Sequence, residues 1–228
     1  MRHDLNPSFA LGADNILRCV LFDQFGWQRH GFGTRHASPL AQITLRQVHS
    51  DRVFDARGLT NRSCEGDALV SREIGQSIGI RTADCVPILL LYPEHRAVAA
   101  VHAGWRGTAD AILLRTLETM RREFGTAPES VYAAIGPAIQ ACCYEVGSEV
   151  SERFAPLFPE WPAEPGRRNV DLPEANRRHL MNAGVPNDHI YNCGLCTHCH
   201  AELFFSYRRE PQNPGRMLSS IGVFATDA

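Results

Sequence analysis

The sequence predicts an α/β (α+β) fold in a single domain over residues 1–228. Three observations carry this reading. Short apolar runs rich in Val and Ile recur along the chain, and a well-marked amphipathic helix sits among them. No repeat, low-complexity tract or long polar linker divides the 228 residues, which suffice to bury a sizeable core. Two of the apolar runs, VPILLLY and AVAAVHA, follow each other with no helix between them. That order argues for hairpins in a mixed or antiparallel sheet rather than a repeating βαβ unit.

Taken in order, NILRCVLF and QITLRQVH read as the first strands. DALVS, VPILLLY, AVAAVHA and SVYAAIG follow, and a last one lies near MLSSIGVF. Between AVAAVHA and SVYAAIG, Thr108 can cap a helix in which Ala109, Ile112, Leu113, Leu117, Met120 and Phe124 recur at helical spacing, and Gly125 ends it. A second helix begins near Asp171 with Pro173 in its first turn and stops at Gly184. VGSEVSERFAPLF carries a weaker helical pattern.

Composition narrows the function classes. The chain is 44% hydrophobic and 21% charged with formal net charge -2, which gives no electrostatic case for nucleic acid or an anionic membrane. Its apolar runs fall far short of the about 20 residues needed to span a bilayer. The stretch MRHDLNPSFALGADNILRC lacks a basic region followed by an apolar one, so no secretory signal is expected. Eight cysteines without an export signal point to reduced thiols in the cytoplasm. The expected partner is a small molecule. With no heptad or assembly motif, the expected state is monomer or homodimer.

Three candidate ligands stand out. His49, Cys85 and His102 each lie in a segment read as a strand end, in LRQVHS, RTADCVPILLLY and RAVAAVHAGWRG. Two imidazoles and a thiolate form a three-ligand set for Zn2+ and leave the fourth tetrahedral position open. Taken singly, His49 reads equally as a hydrogen-bonded structural histidine and Cys85 as a buried inert thiol. Spacing alone does not bring the three together. Arg46, Gln47 and Asp84 add polarity at the same strand ends. After His102 a turn, Gly104-Trp105-Arg106-Gly107, leads to the helix expected at Thr108, where backbone N–H groups and Arg106 could seat an anion. It matches neither the P-loop nor the dinucleotide fingerprint.

Elsewhere Cys193, Cys196 and Cys199, with His200 beside them, look like half of a zinc ribbon. The adjacent Cys142 and Cys143 are not spaced as the missing knuckle. Cys196-Thr-His-Cys199-His200 also fits a covalent haem attachment pattern, which belongs outside the cytoplasm. A reduced, partly buried cysteine cluster is the plain alternative.

The segments HGFGTR, LRQVHSDRV, GDALVS, IRTADCVPILL, AVHAGWRG, IGPAIQACCYEVG, CTHC and FFSYRRE with GRM resemble, in order from about His30 to Ile221, the YfiH-type family. Its members have been described as polyphenol oxidase (laccase-like) proteins and as purine nucleoside phosphorylases. The resemblance implies a layered fold, a mixed sheet sandwich flanked by helices, and a metal pocket made here by His49, Cys85 and His102. Where the family often has paired glycines after GFSTR, this chain has Gly33-Thr34-Arg35-His36-Ala37-Ser38, which leaves Arg35 without an assigned role.

The resemblance further implies a zinc-dependent purine nucleoside phosphorylase acting on adenosine, inosine, guanosine and methylthioadenosine, with adenosine deaminase activity. Such a zinc could activate water for attack on C6 of adenosine. Phosphorolysis needs phosphate set against ribose C1′, for which Arg46 and Arg106 are the candidate partners. Three alternatives stay open: a copper-dependent polyphenol oxidase, a metal-free cysteine hydrolase with Cys85 as nucleophile and His102 as base, and a non-catalytic binding module around Cys193–Cys199.

Overall fold

In a computed structural model, which describes residues 6–212 and 215–225, two six-stranded sheets lie face to face and helices cover the outer side of one of them. The outer sheet runs in the order β1 (Phe9–Leu11), β2 (Leu17–Cys19), β3 (Gln28–Phe32), β14 (Met217–Val223), β7 (Ser77–Thr82), β4 (Ile43–Thr44). The central sheet runs β13 (Ile190–Asn192), β10 (Tyr132–Ile135), β8 (Val86–Tyr92), β9 (Ala97–Ala103), β6 (Ala68–Ser71), β5 (Val53–Asp55). A two-stranded ribbon pairs β11 (Glu145–Val146) with β12 (Arg168–Asn169). Both large sheets are mixed. β4 runs parallel to β7, β5 to β6 and β13 to β10, whereas β8 and β9 form the expected antiparallel hairpin.

The hairpin shows why its sequence is apolar without alternation. All seven residues of each strand are buried. Successive side chains point to opposite faces. Leu89, Leu91, Val98 and Ala100 enter the core between the sheets. Val86, Ile88, Leu90, Ala99 and Val101 enter the core beneath the helices. A strand buried on both faces has no polar side to show.

Four α-helices are present among the described residues: α1 (Trp105–Ala109), α2 (Ile112–Phe124), α3 (Ser148–Phe154) and α4 (Leu172–Asn182). Asp171 caps α4 by accepting the Glu174 N–H at 2.8 Å, with Pro173 in the first turn, and Gly184 follows at φ 98°. Gly125 ends α2 at φ 69°, and α3 fulfils the weaker pattern. The start of the central helix differs from expectation. Helical structure begins at Trp105 with Gly104 as N-cap, breaks at Ala111 (φ 59°) and resumes at Ile112. Thr108 does not cap, because its buried hydroxyl accepts the Asn176 side-chain amide of α4 at 3.0 Å.

Two predicted strands are shorter than the apolar runs suggest. In NILRCVLF only Leu17–Cys19 pairs, since the Cys19 N–H donates to His30 Nε2 at 3.0 Å and a 3-10 turn follows. In QITLRQVH only Ile43 and Thr44 join the sheet, and Arg46 makes a single bridge to Glu65. Residues 1–5 of the stretch read for an export signal lie outside the described residues. No helix among the described residues is long and apolar enough to cross a membrane.

Candidate metal centre and cavity

The centre is organised by a residue just ahead of β6. Asp67 is fully buried. Its carboxylate accepts the N–H groups of Val48 (3.3 Å), His49 (3.0 Å) and Ser50 (2.6 Å) and the Ser50 hydroxyl (2.7 Å). The same carboxylate meets His102 Nδ1 at 2.8 Å. Burial alone would raise its pKa, but hydrogen bonds from His102 and Ser50 hold it at about 2, so it is ionised.

One carboxylate therefore sets two of the three donors. His49 is not at a strand end. It sits in a loop with φ 61°, a conformation that costs a non-glycine residue on the order of 1 kcal/mol, and the Asp67 contacts hold it there. His102 lies in β9, its N–H bonded to the Asp67 carbonyl at 2.8 Å. With Nδ1 turned to the carboxylate, Nε2 is the nitrogen presented toward Cys85 and His49. The two rings stand 4.9 Å apart at 74°.

Cys85 occupies the bend immediately before β8 rather than the end of a strand. Its neighbour Asp84 has φ 84° and is fastened on every side. Its carboxylate accepts the Thr197 hydroxyl at 2.6 Å and the Arg208 N–H at 2.6 Å, and its carbonyl accepts the Ile139 N–H at 2.9 Å. Asp84, which also lines the cavity, thus holds the bend that carries the thiol in place. Burial pushes the Cys85 thiol up, but the charge of His102 and hydrogen bonds from His102 and His49 outweigh it and bring the pKa to about 6. Burial likewise opposes charge on His102, while the thiolate and Asp67 raise it to about 9. The pair favours thiolate and imidazolium.

The donor atoms of His49, Cys85 and His102 lie within 4.8 Å of one another, which fits a common ion. Gly104 presses against the same place. A Cβ there would stand 3.1 Å from both Cys85 Sγ and His49 Cδ2, so a larger residue would push against two of the donors.

Above the donors opens a cavity of about 620 Å³, within the roughly 300–1,000 Å³ typical of small-molecule sites. Leu45, Ala83, Ile139 and Leu172 give it apolar wall, Trp105, Tyr144 and Tyr207 give ring faces, and Arg62, Arg81, Arg106, Arg208 and Arg216 give cations. Of the sequence-predicted residues, His49, Cys85, His102, Gln47, Asp84 and Arg106 line it. Gln47 does so as a brace, since its amide exchanges two 2.7 Å hydrogen bonds with the Arg81 backbone. Arg106 stands 4.4 Å over the Trp105 ring. The expected anion seat ahead of Thr108 is instead the first turn of α1, where the Thr108 N–H is bonded to the Gly104 carbonyl at 2.8 Å. Arg46 is not on the wall. Leu45, Gln47 and His49 face the cavity at every second position, which turns Arg46 the other way onto Glu65 at 3.8 Å.

Sequence reasoning missed Asp67 and the cations Arg62, Arg81, Arg208 and Arg216. The signal for Asp67 was a carboxylate directly abutting the apolar run Ala-Leu-Val in GDALVS. Arg208 and Arg216 lay inside FFSYRRE and GRM.

Comparison with known proteins identifies the family. A purine nucleoside phosphorylase of Bacteroides thetaiotaomicron is 45% identical over 163 residues, covering 69% of this chain and 60% of that protein. The purine nucleoside phosphorylase YlmD of Geobacillus stearothermophilus is 40% identical over 193 residues, 82% of this chain and 69% of the relative. The adenosine deaminase RL5 of an unknown prokaryotic organism is 41% identical over 195 residues, 78% of this chain and 74% of the relative. The crystal structure of a Bacillus licheniformis hypothetical protein, YfiH, superposes with TM-score 0.84 at 28% identity, covering 96% of this chain and 100% of that one. Residues 29–224 match the family described as multi-copper polyphenol oxidoreductase laccase. The layered sheets, the order of the motifs and these matches together make the chain a member of this YfiH-type, laccase-like family.

Proposed function

We propose that the protein is a zinc-dependent purine nucleoside phosphorylase that also deaminates adenosine. The observation that carries this reading is a set of two imidazoles and one thiolate at the floor of a cavity walled by rings and arginines. Relatives named purine nucleoside phosphorylase and adenosine deaminase support it. The substrates are adenosine, inosine, guanosine and methylthioadenosine together with inorganic phosphate. The eight unbridged cysteines agree with a reduced compartment, the cytoplasm.

Each part of the wall has a task. Trp105, Tyr144 and Tyr207 offer flat faces against a purine, and the arginines neutralise phosphate and turn one of its oxygens toward ribose C1′. In phosphorolysis a phosphate oxygen bonds to C1′ as the C1′–N9 bond breaks, and the base leaves with that electron pair and takes up a proton. In deamination water adds at C6 and ammonia departs. His49, Cys85 and His102 would hold the zinc, which when bound would supply Lewis-acid polarisation. Asp67 keeps His102 in the tautomer that presents Nε2.

Copper is the second reading, favoured by the family's description and by a soft thiolate among imidazoles. A multi-copper oxidase needs several imidazole-bearing centres, and among the described residues His49, Cys85 and His102 form the one clustered group that includes histidine. Elemental analysis combined with product chromatography on adenosine and inosine, with and without phosphate, separates these readings. Ribose 1-phosphate formed from inosine by a zinc-loaded protein is expected. Phenol oxidation by a copper-loaded protein with no nucleoside turnover would overturn the proposal. Cys85→Ala and His102→Ala should each abolish zinc retention at this site and turnover of both nucleosides. Turnover that survives chelation but not Cys85 alkylation would favour the cysteine hydrolase.

A further inference from the structure

The cysteine motif near the C-terminus finds its other half in the fold. Cys193 leaves the group. It is fully buried in the core between the sheets, where burial pushes its thiol up to about 12. Cys196 and Cys199 instead meet Cys142 and Cys143, the adjacent pair whose spacing argued against a knuckle. The sulfur of Cys143 lies 3.4 Å from Cys199 and 3.6 Å from Cys142, and Cys142 lies 3.8 Å from Cys199. All four sulfurs fall within 4.8 Å of one another and none is bridged.

These separations have a chemical meaning. A disulfide would require about 2.05 Å. A tetrahedral zinc with about 2.3 Å bonds to sulfur places its ligands about 3.8 Å apart. The carbonyl of Cys196 accepts the His200 N–H at 3.1 Å, closing the tight turn of a Cys-x-x-Cys knuckle.

We propose that Cys142, Cys143, Cys196 and Cys199 form a second metal site, separate from the cavity centre, which holds one zinc ion in a closed shell of four thiolates. The ion clasps two loops more than fifty residues apart in sequence. Each loop also reaches the cavity. Tyr144, next to Cys143, lines the wall, and Thr197, next to Cys196, carries the hydroxyl that holds Asp84 beside Cys85. The role is structural, because no coordination position is left for substrate.

The test removes the first centre and counts what remains. The His49→Ala/His102→Ala protein is purified under reducing conditions, reconstituted with zinc, desalted and analysed for metal. One zinc per chain is expected, falling to none when Cys196→Ser/Cys199→Ser is added. Cobalt bound to the same double-alanine protein should show the intense sulfur-to-metal absorption of a tetrathiolate, a readout that stands even if the serine variant does not fold. Zinc-free double-alanine protein without that absorption would overturn the proposal. A Cys143–Cys199 disulfide formed in preference to metal in zinc-containing reducing buffer would also overturn it. Because the cavity centre is absent throughout, its own metal reading neither helps nor harms the result.

Discussion

Two groups of cysteine-bearing ligands are both tied to Asp84, which precedes Cys85 and accepts the hydroxyl of Thr197 beside Cys196, yet they handle sulfur in contrasting ways. At the cavity floor a single thiol is paired with imidazoles, and His102 brings Cys85 to a pKa of about 6 even without metal. At the knuckle four thiols face one another, and burial pushes Cys142 up to about 11, with Cys143 opposing the rise and Cys196 and Cys199 adding to it. A lone thiolate beside cations is prepared for chemistry. Four thiolates gathered in one place repel one another, and a shared cation offsets that repulsion, which suits a structural role. The difference lies in the neighbours.

The sharpest way to break this contrast is Asp67→Asn. The buried carboxylate receives three backbone N–H groups, a hydroxyl and an imidazole, so removing its charge disturbs His49 and His102 together. Zinc affinity at the cavity and kcat should each fall about 10–100-fold. Stability should drop by about 2–4 kcal/mol, since hydrogen-bond donors are left facing a poorer acceptor. Zinc at the four thiols should be retained. Loss of both metals in this variant would show that the two sites are not independent.

Next in size is a difference in alkylation, measured by peptide mass spectrometry on metal-stripped, reduced protein treated with iodoacetamide. Thiolate forms above the pKa, so labelling of Cys85 should rise through about pH 6 and level off before pH 8. Cys142 should label slowly at pH 7 and keep gaining rate toward about pH 11, although it is the more exposed of the two. Faster labelling of Cys142 at pH 7 would contradict the role given to His102.

Thr197→Val probes the strut between the sites. Its hydroxyl, fully buried, donates to Asp84 at 2.6 Å, and valine of similar shape leaves that oxygen without the contact. A loss of about 1–3 kcal/mol in urea unfolding is expected, together with a higher KM and unchanged zinc content. A variant as stable as the parent would mean that the strut carries nothing.

How much of this could be read from the residues alone depends on whether the signal was local. The hairpin of β8 and β9 was legible at its true ends, because burial on both faces leaves uninterrupted apolar runs. The cap of α4 was legible because Asp171 and Pro173 act within one turn. β7 escaped notice. Its Gly79 looks like a breaker, yet the glycine is required because a Cβ would stand 2.6 Å from that of Ala41. The three cavity donors were found by residue type and family pattern. Asp67, which positions two of them, was missed because its partners are backbone N–H groups that no side-chain motif records. Cys142 and Cys143 were set aside for their spacing, and only the three-dimensional fold brings them to Cys196 and Cys199.

The smallest expected effect separates Arg46, the arginine named from the sequence as a phosphate partner, from Arg81, which was not. Arg46 and Arg81 both precede a ligand, at His49 and Cys85, and both are cations within reach by chain distance. Side-chain alternation decides between them. Gln47 faces the cavity and grips the Arg81 backbone through both ends of its amide, whereas Arg46, one residue earlier, turns out to Glu65 across an exposed 3.8 Å pair. Such pairs contribute about 0–1 kcal/mol. Arg46→Ala should therefore leave the KM for phosphate within twofold and stability within about 0.5 kcal/mol. Arg81→Ala, which removes a cation from the wall, should raise that KM by about tenfold, equivalent to about 1.4 kcal/mol. Equal effects from the two substitutions would mean that phosphate is held by diffuse positive charge near the opening, and that the alternation along residues 45–49 has no bearing on binding.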